Sequence, residues 1–255
     1  MKILEINNSN LVIINEHRVL IKNINITVNS GDTVLISGIN GVGKSSLFKA
    51  LLPNNEDNIY STLENGSFSF FESNNKKDLN QRIIDISQED FLSKPSLFLK
   101  VEDVLLYGLQ SIKEPKVYLE KWIEKYRPFI KDDFDKKLIK KRIISLSGGE
   151  KKYVAILQGL VRSDLDGVSL ALLDEPINNL DAKHIIQLSD LLRRIQYYNP
   201  DFAIILITHC HAFPYVNKAF EIKDNTLSEY KYELHNCFGT TDKDGFYQID
   251  MNPRI

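Results

Sequence analysis

Thr33-Val34-Leu35-Ile36-Ser37-Gly38-Ile39-Asn40-Gly41-Val42-Gly43-Lys44-Ser45-Ser46-Leu47 is the stretch on which the fold turns. A β-branched run enters it, glycines at 38, 41 and 43 interrupt it, and a helical pattern leaves it from Lys44, ended by Pro53 and Asn54-Asn55. Strand, glycine loop and helix in that order match the phosphate-binding loop. The glycines let consecutive backbone N–H groups turn inward, and the helix amino terminus adds positive potential. Lys44 supplies a charge and the Ser45 hydroxyl a ligand for Mg²⁺; Gly38, Asn40, Gly41, Gly43 and Ser46 complete the expected nucleotide-binding set.

Upstream, Asn10–Ile14 and Val19–Val28 read as strands, and Asn29-Ser30-Gly31-Asp32 as the turn that precedes the loop's own strand. Downstream, Ser67–Glu72 and Gln81–Ser87 read as extended, whereas Val101–Lys141 has helix-like spacing, many charges and few glycines. A helix after Gly149, a strand at Val168–Asp174, a helix at Asp181–Gln196 and a strand at Ala203–Thr208 then alternate. Such alternation indicates an α/β layered fold with a mainly parallel sheet.

At 255 residues the chain suits one sizeable core with a small second lobe. Its 43% hydrophobic and 26% charged content is globular, which excludes a fibrous or disordered class. Lys and Arg number 32 against 34 Asp and Glu, so no global charge favours nucleic acid or an anionic membrane, and no nucleic-acid partner is expected. The basic run at Lys136, Lys137, Lys140, Lys141 and Arg142 reads as the solvated face of a helix. Cys210 and Cys237, without an amino-terminal leader, fit a reducing cytoplasm, and the Cys210-His211 pair lacks the further ligands a zinc site needs. The longest apolar runs, Val168–Leu173 and Phe202–Ile207, fall short of the ~20 residues of a membrane span, so direct membrane insertion is not expected.

Leu170-Ala171-Leu172-Leu173-Asp174-Glu175 is an apolar strand that delivers two adjacent carboxylates at its carboxyl end. Asp174 is placed to hold Mg²⁺, and Glu175 to act on a γ-phosphate as base or water-orienting group. Leu146-Ser147-Gly148-Gly149-Glu150 opens a helix with a serine hydroxyl and glycine N–H groups, which is a second anion site.

Those three motifs together resemble the ATP-binding-cassette (ABC) ATPase superfamily, over about residues 3–228. Within that resemblance Gln88 looks like the Q-loop glutamine, Asn179-Leu180-Asp181 like the D-loop and His209 like the switch histidine. It implies a P-loop core with an amino-terminal antiparallel β-subdomain, one domain over 1–255, a helical subdomain inserted at about 89–145, and a polar tail at 229–255. The implied cofactors are ATP and Mg²⁺, with Ser45, Gln88 and Asp174 around the metal and Glu175, His209, Lys44 and Gln88 in catalysis. A head-to-tail dimer with a second ABC subunit, identical or not, is also implied. Ser147, Gly148, Gly149 and Glu150 then reach the ATP of the opposite subunit, and Asp181 lies at the interface.

On this reading the chain is a stand-alone subunit, cytoplasmic and peripheral to a membrane, that drives integral membrane transporter subunits. Gln88–Leu99, with Phe91, Leu92, Leu97 and Phe98, is the expected docking groove. The alternative is a soluble ABC ATPase such as the iron-sulfur assembly subclass, which Gly148–Lys152 also resembles; Pro176-Ile177-Asn178-Asn179 stands where that subclass is serine-rich. A module without catalysis is disfavoured because Lys44 and Glu175 are both retained. Residues 138–144 lack the acidic, glycine-bearing stretch of fused exporters. Family members also stack an aromatic residue on adenine, where this chain has Ile14 within Leu11–His17. Weaker base recognition is expected, compensated by phosphate contacts or by His17.

Overall fold

The computed structural model describes residues 1–52, 61–71, 79, 81–86, 98–130, 138–178, 180, 182–209, 211 and 213–234. Strands β1 (Lys2–Ile13) and β2 (Arg18–Asn29) form a long antiparallel hairpin, to which β4 (Ser61–Glu64) and β5 (Ser67–Phe70) add on the β1 side. β1 begins at Lys2, well before the expected Asn10. Asn7-Asn8-Ser9-Asn10 is part of a bulged strand, whose register slips between Ile6 and Ser9. Asn8 and Asn23 both sit at φ 50, a left-handed conformation that asparagine tolerates better than most residues. The bulge is tied by Asn25 Oδ1 accepting the Asn8 N–H at 3.0 Å and Asn10 Oδ1 accepting the Asn23 N–H at 2.9 Å.

The main sheet runs in the order β4-β1-β2-β10-β9-β3-β8-β7-β6 among the described residues. Here β3 is Thr33–Gly38, β6 Ile83–Ile86, β7 Leu170–Asp174, β8 Ala203–Ile207, β9 Lys218–Lys223 and β10 Thr226–Tyr230. From β9 across β3, β8 and β7 to β6 every pairing is parallel. Strands β7 and β8 are buried at every residue, which is why they read as continuous apolar runs. Alternate side chains divide between two cores: Leu35, Ala171, Leu173, Ile204 and Leu206 face one side, and Val34, Ile36, Leu172, Ile205 and Ile207 the other.

The first core is covered by α2 (Val101–Tyr107), α3 (Pro115–Tyr126), α4 (Gly148–Leu160) and α5 (Ala182–Tyr198), the second by the β1–β2 layer and α1 (Lys44–Leu51). The expected helical stretch from Val101 is thus broken after Tyr107, and Pro115 restarts it at a first-turn position where its missing N–H costs nothing. Helix α4 lies close on β6: a Cβ at Gly159 would meet Ile86 Cγ1 at 2.9 Å and Ile84 Cγ2 at 3.0 Å. Gln81 and Arg82 are helical, not extended, and Val168-Ser169 precede β7 as irregular chain. The first residues of the expected polar tail belong to β10, which pairs antiparallel with β9 up to Tyr230.

Because β3, β7 and β8 run parallel and side by side, their carboxyl ends deliver Gly38–Gly43, Glu175 and His209 to one edge of the sheet. Crevices at that edge are where open α/β sheets bind ligands.

Candidate functional site

At the end of β3 the chain turns through Gly41 at φ 81 and Gly43 at φ 109 into α1. Gly43 is the helix N-cap in a left-handed conformation with no capping side chain, so the first N–H groups of α1 are left for a ligand. Lys44 is buried and folds back over the loop, its Nζ donating to Gly38 O at 2.8 Å and Ile39 O at 3.2 Å.

Asp174 ends β7 against the start of α1. Its side chain is hydrogen-bonded to Ser45, while Oδ1 is buried with no hydrogen-bond partner among the described residues. Burial pushes its carboxyl above the usual range; the Ser45 hydrogen bond opposes this, the Glu175 charge adds to it, and the charges of Lys152 and Lys44 oppose it. A hydroxyl beside a desolvated carboxylate with an orphan oxygen fits a hard cation such as Mg²⁺.

Glu175 is buried at 4% exposure and held at φ 46, an uncommon conformation for a glutamate. Its amide donates to Ile207 O at 2.7 Å, and its carboxylate lies 3.7 Å from Lys44 Nζ and 3.2 Å from His209 Nδ1. One carboxylate is thus wedged between a lysine of the phosphate loop and a half-exposed histidine beyond β8. The surrounding cleft of about 430 Å³ is lined by Asn40, Gly41, Gly43, Lys44, Ser45, Ser46, Glu175, Asn178 and His209, and by Ile13, Arg18 and Leu20 of the hairpin.

Ser147 is the N-cap of α4. Its Oγ accepts the Glu150 N–H at 3.2 Å and its own N–H donates to Glu150 Oε2 at 2.9 Å, a reciprocal capping box. Ser147 and Gly148 are exposed, and residues 147–150 do not line the cleft. The Ser147–Glu150 cap therefore forms no part of the cleft around the phosphate loop.

The family model described as "ABC transporter" matches residues 21–178, which hold the phosphate loop, Ser147–Glu150 and Asp174-Glu175. The chain belongs to the ABC transporter family. Among curated relatives of this ABC chain, the phosphonates import ATP-binding protein PhnC of Fusobacterium nucleatum is 26% identical over 229 residues, covering 83% of this chain and 86% of the relative. The Fe(3+) ions import ATP-binding protein FbpC of the same species is 27% identical over 179 residues, covering 70% and 44%. The spermidine/putrescine import ATP-binding protein PotA of Borrelia garinii is 29% identical over 208 residues, covering 81% and 55%. The ABC chain spans about half the length of several such relatives. Its fold matches CbiO1 of Clostridium perfringens, part of the CbiONQ transporter complex, at TM-score 0.68 and 23% identity over 89% and 87% of the two chains. It also matches a nucleotide-free ATP-binding cassette at TM-score 0.66 and 20% identity over 91% and 92%.

The structure brings Lys44, Ser45, Asp174, Glu175 and His209 of this ABC cassette together and sets Ser147–Glu150 apart. Gln88, Asp181, Phe91, Leu92, Leu97, Cys210 and Cys237 lie outside the described residues, while Phe98 is 67% exposed. At the hairpin end the cleft is lined by Ile13 and not by Ile14, which sits exposed in the turn with its carbonyl accepting the His17 N–H at 3.3 Å. His17 does not line the cleft either.

Two features escaped the sequence. Lys152 of α4 is partly buried near Asp174 and Glu175, and desolvation lowers its pKa against their opposing charge. Behind His209, Ser37 Oγ of β3 lies 3.2 Å from Tyr230 OH, which lies 3.0 Å from His211 Nε2. No motif marks either set, because each is assembled from elements far apart in the chain.

Proposed function

We propose that this chain is the ATP-hydrolysing subunit of an ABC importer, working as a dimer that closes on Mg-ATP and opens after hydrolysis. The observation that carries the reading is Glu175, buried between Lys44 and His209 in the mouth of the phosphate loop. A carboxylate there is placed to orient a water for attack on a γ-phosphate, with Lys44 and His209 holding the transferred group. Lys44 must then leave the Gly38 and Ile39 carbonyls for the phosphates. Ser45 and Asp174 would hold Mg²⁺, which when bound offsets phosphate charge.

Dimerisation is supported by the outward-facing Ser147–Glu150 cap: a helix amino terminus with two glycines and an exposed hydroxyl suits the γ-phosphate bound by a second subunit. A transport role is supported by the relatives, named as import ATP-binding proteins, and a membrane partner by the exposed Phe98 and Leu99 of the helical lobe. No helix among the described residues is long and apolar enough to cross a membrane. We therefore place the chain at the cytoplasmic face of the membrane through integral membrane subunits. ATP stabilises the closed dimer more than ADP does, and that difference is the work available to them.

The test is ATP turnover and oligomeric state for wild type and Glu175→Gln with detergent-extracted membranes. Turnover should fall by about 10²–10⁴-fold in the variant, which should accumulate as an ATP-bound dimer that retains an integral membrane protein. Capture of soluble protein alone would remove the transporter role, and a variant as fast as wild type would remove Glu175 from the chemistry.

A further inference from the structure

The cleft has two ends of different chemistry. One gathers the polar side chains at the phosphate loop: Lys44, Ser45, Glu175 and His209. The other is made by the β1–β2 hairpin, whose lining residues Ile13, Arg18 and Leu20 share one face. Ile13 and Arg18 are direct cross-strand partners, and Leu20 is the extra residue of the bulge between the Val12–Val19 and Leu11–Ile21 pairs, which brings it into the same cleft. This face is pressed onto the phosphate loop, since a Cβ at Gly43 would meet Leu20 Cδ1 at 3.3 Å. A ligand with its phosphates on Gly41–Ser45 therefore extends along Leu20 and Ile13 toward Arg18. Neither aliphatic residue can offer a flat ring.

Arg18 can supply the missing plane. A guanidinium is flat, delocalised and weakly hydrated, and it stacks on aromatic faces. Its Nε is 3.2 Å from Glu16 Oε2, and that contact restrains the side chain while much of it stays exposed at the mouth of the cleft. Ile14 and His17, at the turn, are not in the lining.

We infer that Arg18 is the base-binding platform of this site and that it accepts purine nucleoside triphosphates through stacking over Ile13 and Leu20. A stacked guanidinium reads the face of a base and not its edge, so adenine and guanine are bound alike, while the smaller pyrimidines gain less. The inference rests on the reading of the cleft as a nucleoside-triphosphate site.

The test measures dissociation constants of the full chain for Mg-ATP, Mg-GTP, Mg-CTP and inorganic tripolyphosphate, for wild type, Arg18→Ala, Arg18→Lys and Arg18→Tyr. Arg18 is exposed, so circular dichroism and melting temperature should be unchanged in each variant. Arg18→Ala should weaken ATP and GTP by about 3- to 10-fold and leave tripolyphosphate unchanged. Lysine, a charge without a plane, should not restore binding, and tyrosine, a plane without a charge, should. Unchanged purine affinity in Arg18→Ala overturns the inference. So does an equal loss of tripolyphosphate affinity, which would make Arg18 a phosphate contact, or GTP binding more than tenfold weaker than ATP. Wild type that binds neither nucleotide nor tripolyphosphate overturns the nucleotide reading itself, whereas tripolyphosphate binding with no preference for ATP leaves that loop intact and removes only the platform.

Discussion

Asp174 shows how a residue can cost the empty protein something that a ligand returns. Its carboxyl is 3% exposed, one oxygen has no partner among the described residues, and burial holds its pKa above the unfolded value. The folded chain therefore keeps this proton at pH values where the unfolded chain has released it. The group's contribution to stability is whole in acid and is lost as pH rises through the folded pKa. Asp174→Asn should accordingly raise the melting temperature of the nucleotide-free protein at pH 8 by about 2–4 °C, and the gain should shrink toward about pH 4, where the unfolded carboxyl protonates. With Mg-ATP the order should reverse, because only the wild type has the charge to hold the cation. Calorimetry across pH, with and without Mg-ATP, checks both halves. An empty Asp174→Asn protein no more stable than wild type at pH 8 would mean that Ser45, Lys44 and Lys152 already compensate the buried charge.

At the level of elements, the loop after β8 carries His209 and is anchored two residues later by His211 to Tyr230 of β10, and through Tyr230 to Ser37 of β3. That chain connects the histidine facing Glu175 to the strand that launches the phosphate loop. Tyr230→Phe removes one hydroxyl shared by two hydrogen bonds, each worth about 1 kcal/mol. The expected result is an intact fold, ATP affinity within about 2-fold of wild type, and kcat lowered by about 3- to 10-fold as His209 loses its fixed position. A change in KM alone would instead locate the effect at Ser37 and the phosphate loop.

The same elements explain what the sequence displayed. Gly38–Ser45, Asp174-Glu175 and Ser147–Glu150 were legible because each is a local run whose residue types carry their own chemistry. The parallel strands were legible because burial on both faces leaves unbroken apolar runs. The start of β1 was hidden by asparagines that serve a bulge, and the hairpin end of the cleft was hidden because cross-strand register, not sequence order, selects Ile13 and Arg18 over Ile14 and His17. Ser37, Tyr230 and His211 meet only through the sheet order that sets β10 beside β9 and β9 beside β3.

For the whole molecule, the proposed dimer turns on the separation between the cleft at Lys44 and the helix cap at Ser147. The cleft around Lys44 contains no residue of 147–150, and the cap at Ser147 faces solvent with its Glu150 bonds satisfied internally. If each ATP is held by the loop of one subunit and the cap of the other, a head-to-tail pair has two composite sites, and damage to different halves can be complemented. Lys44→Ala and Ser147→Arg should each abolish turnover when assayed alone. Mixed in equal amounts where two like cassettes assemble, they form heterodimers in half of all pairings. In each heterodimer one site joins the intact loop of the Ser147→Arg chain to the intact cap of the Lys44→Ala chain, and the other site carries both lesions. Turnover should recover to about a quarter of wild type if the sites act independently, and remain at zero if both must fire together; size-exclusion chromatography of the mixture with ATP distinguishes the latter from failure to pair. Recovery cannot arise if one molecule completes its own site, because every Lys44→Ala chain would still lack its lysine and every Ser147→Arg chain its serine.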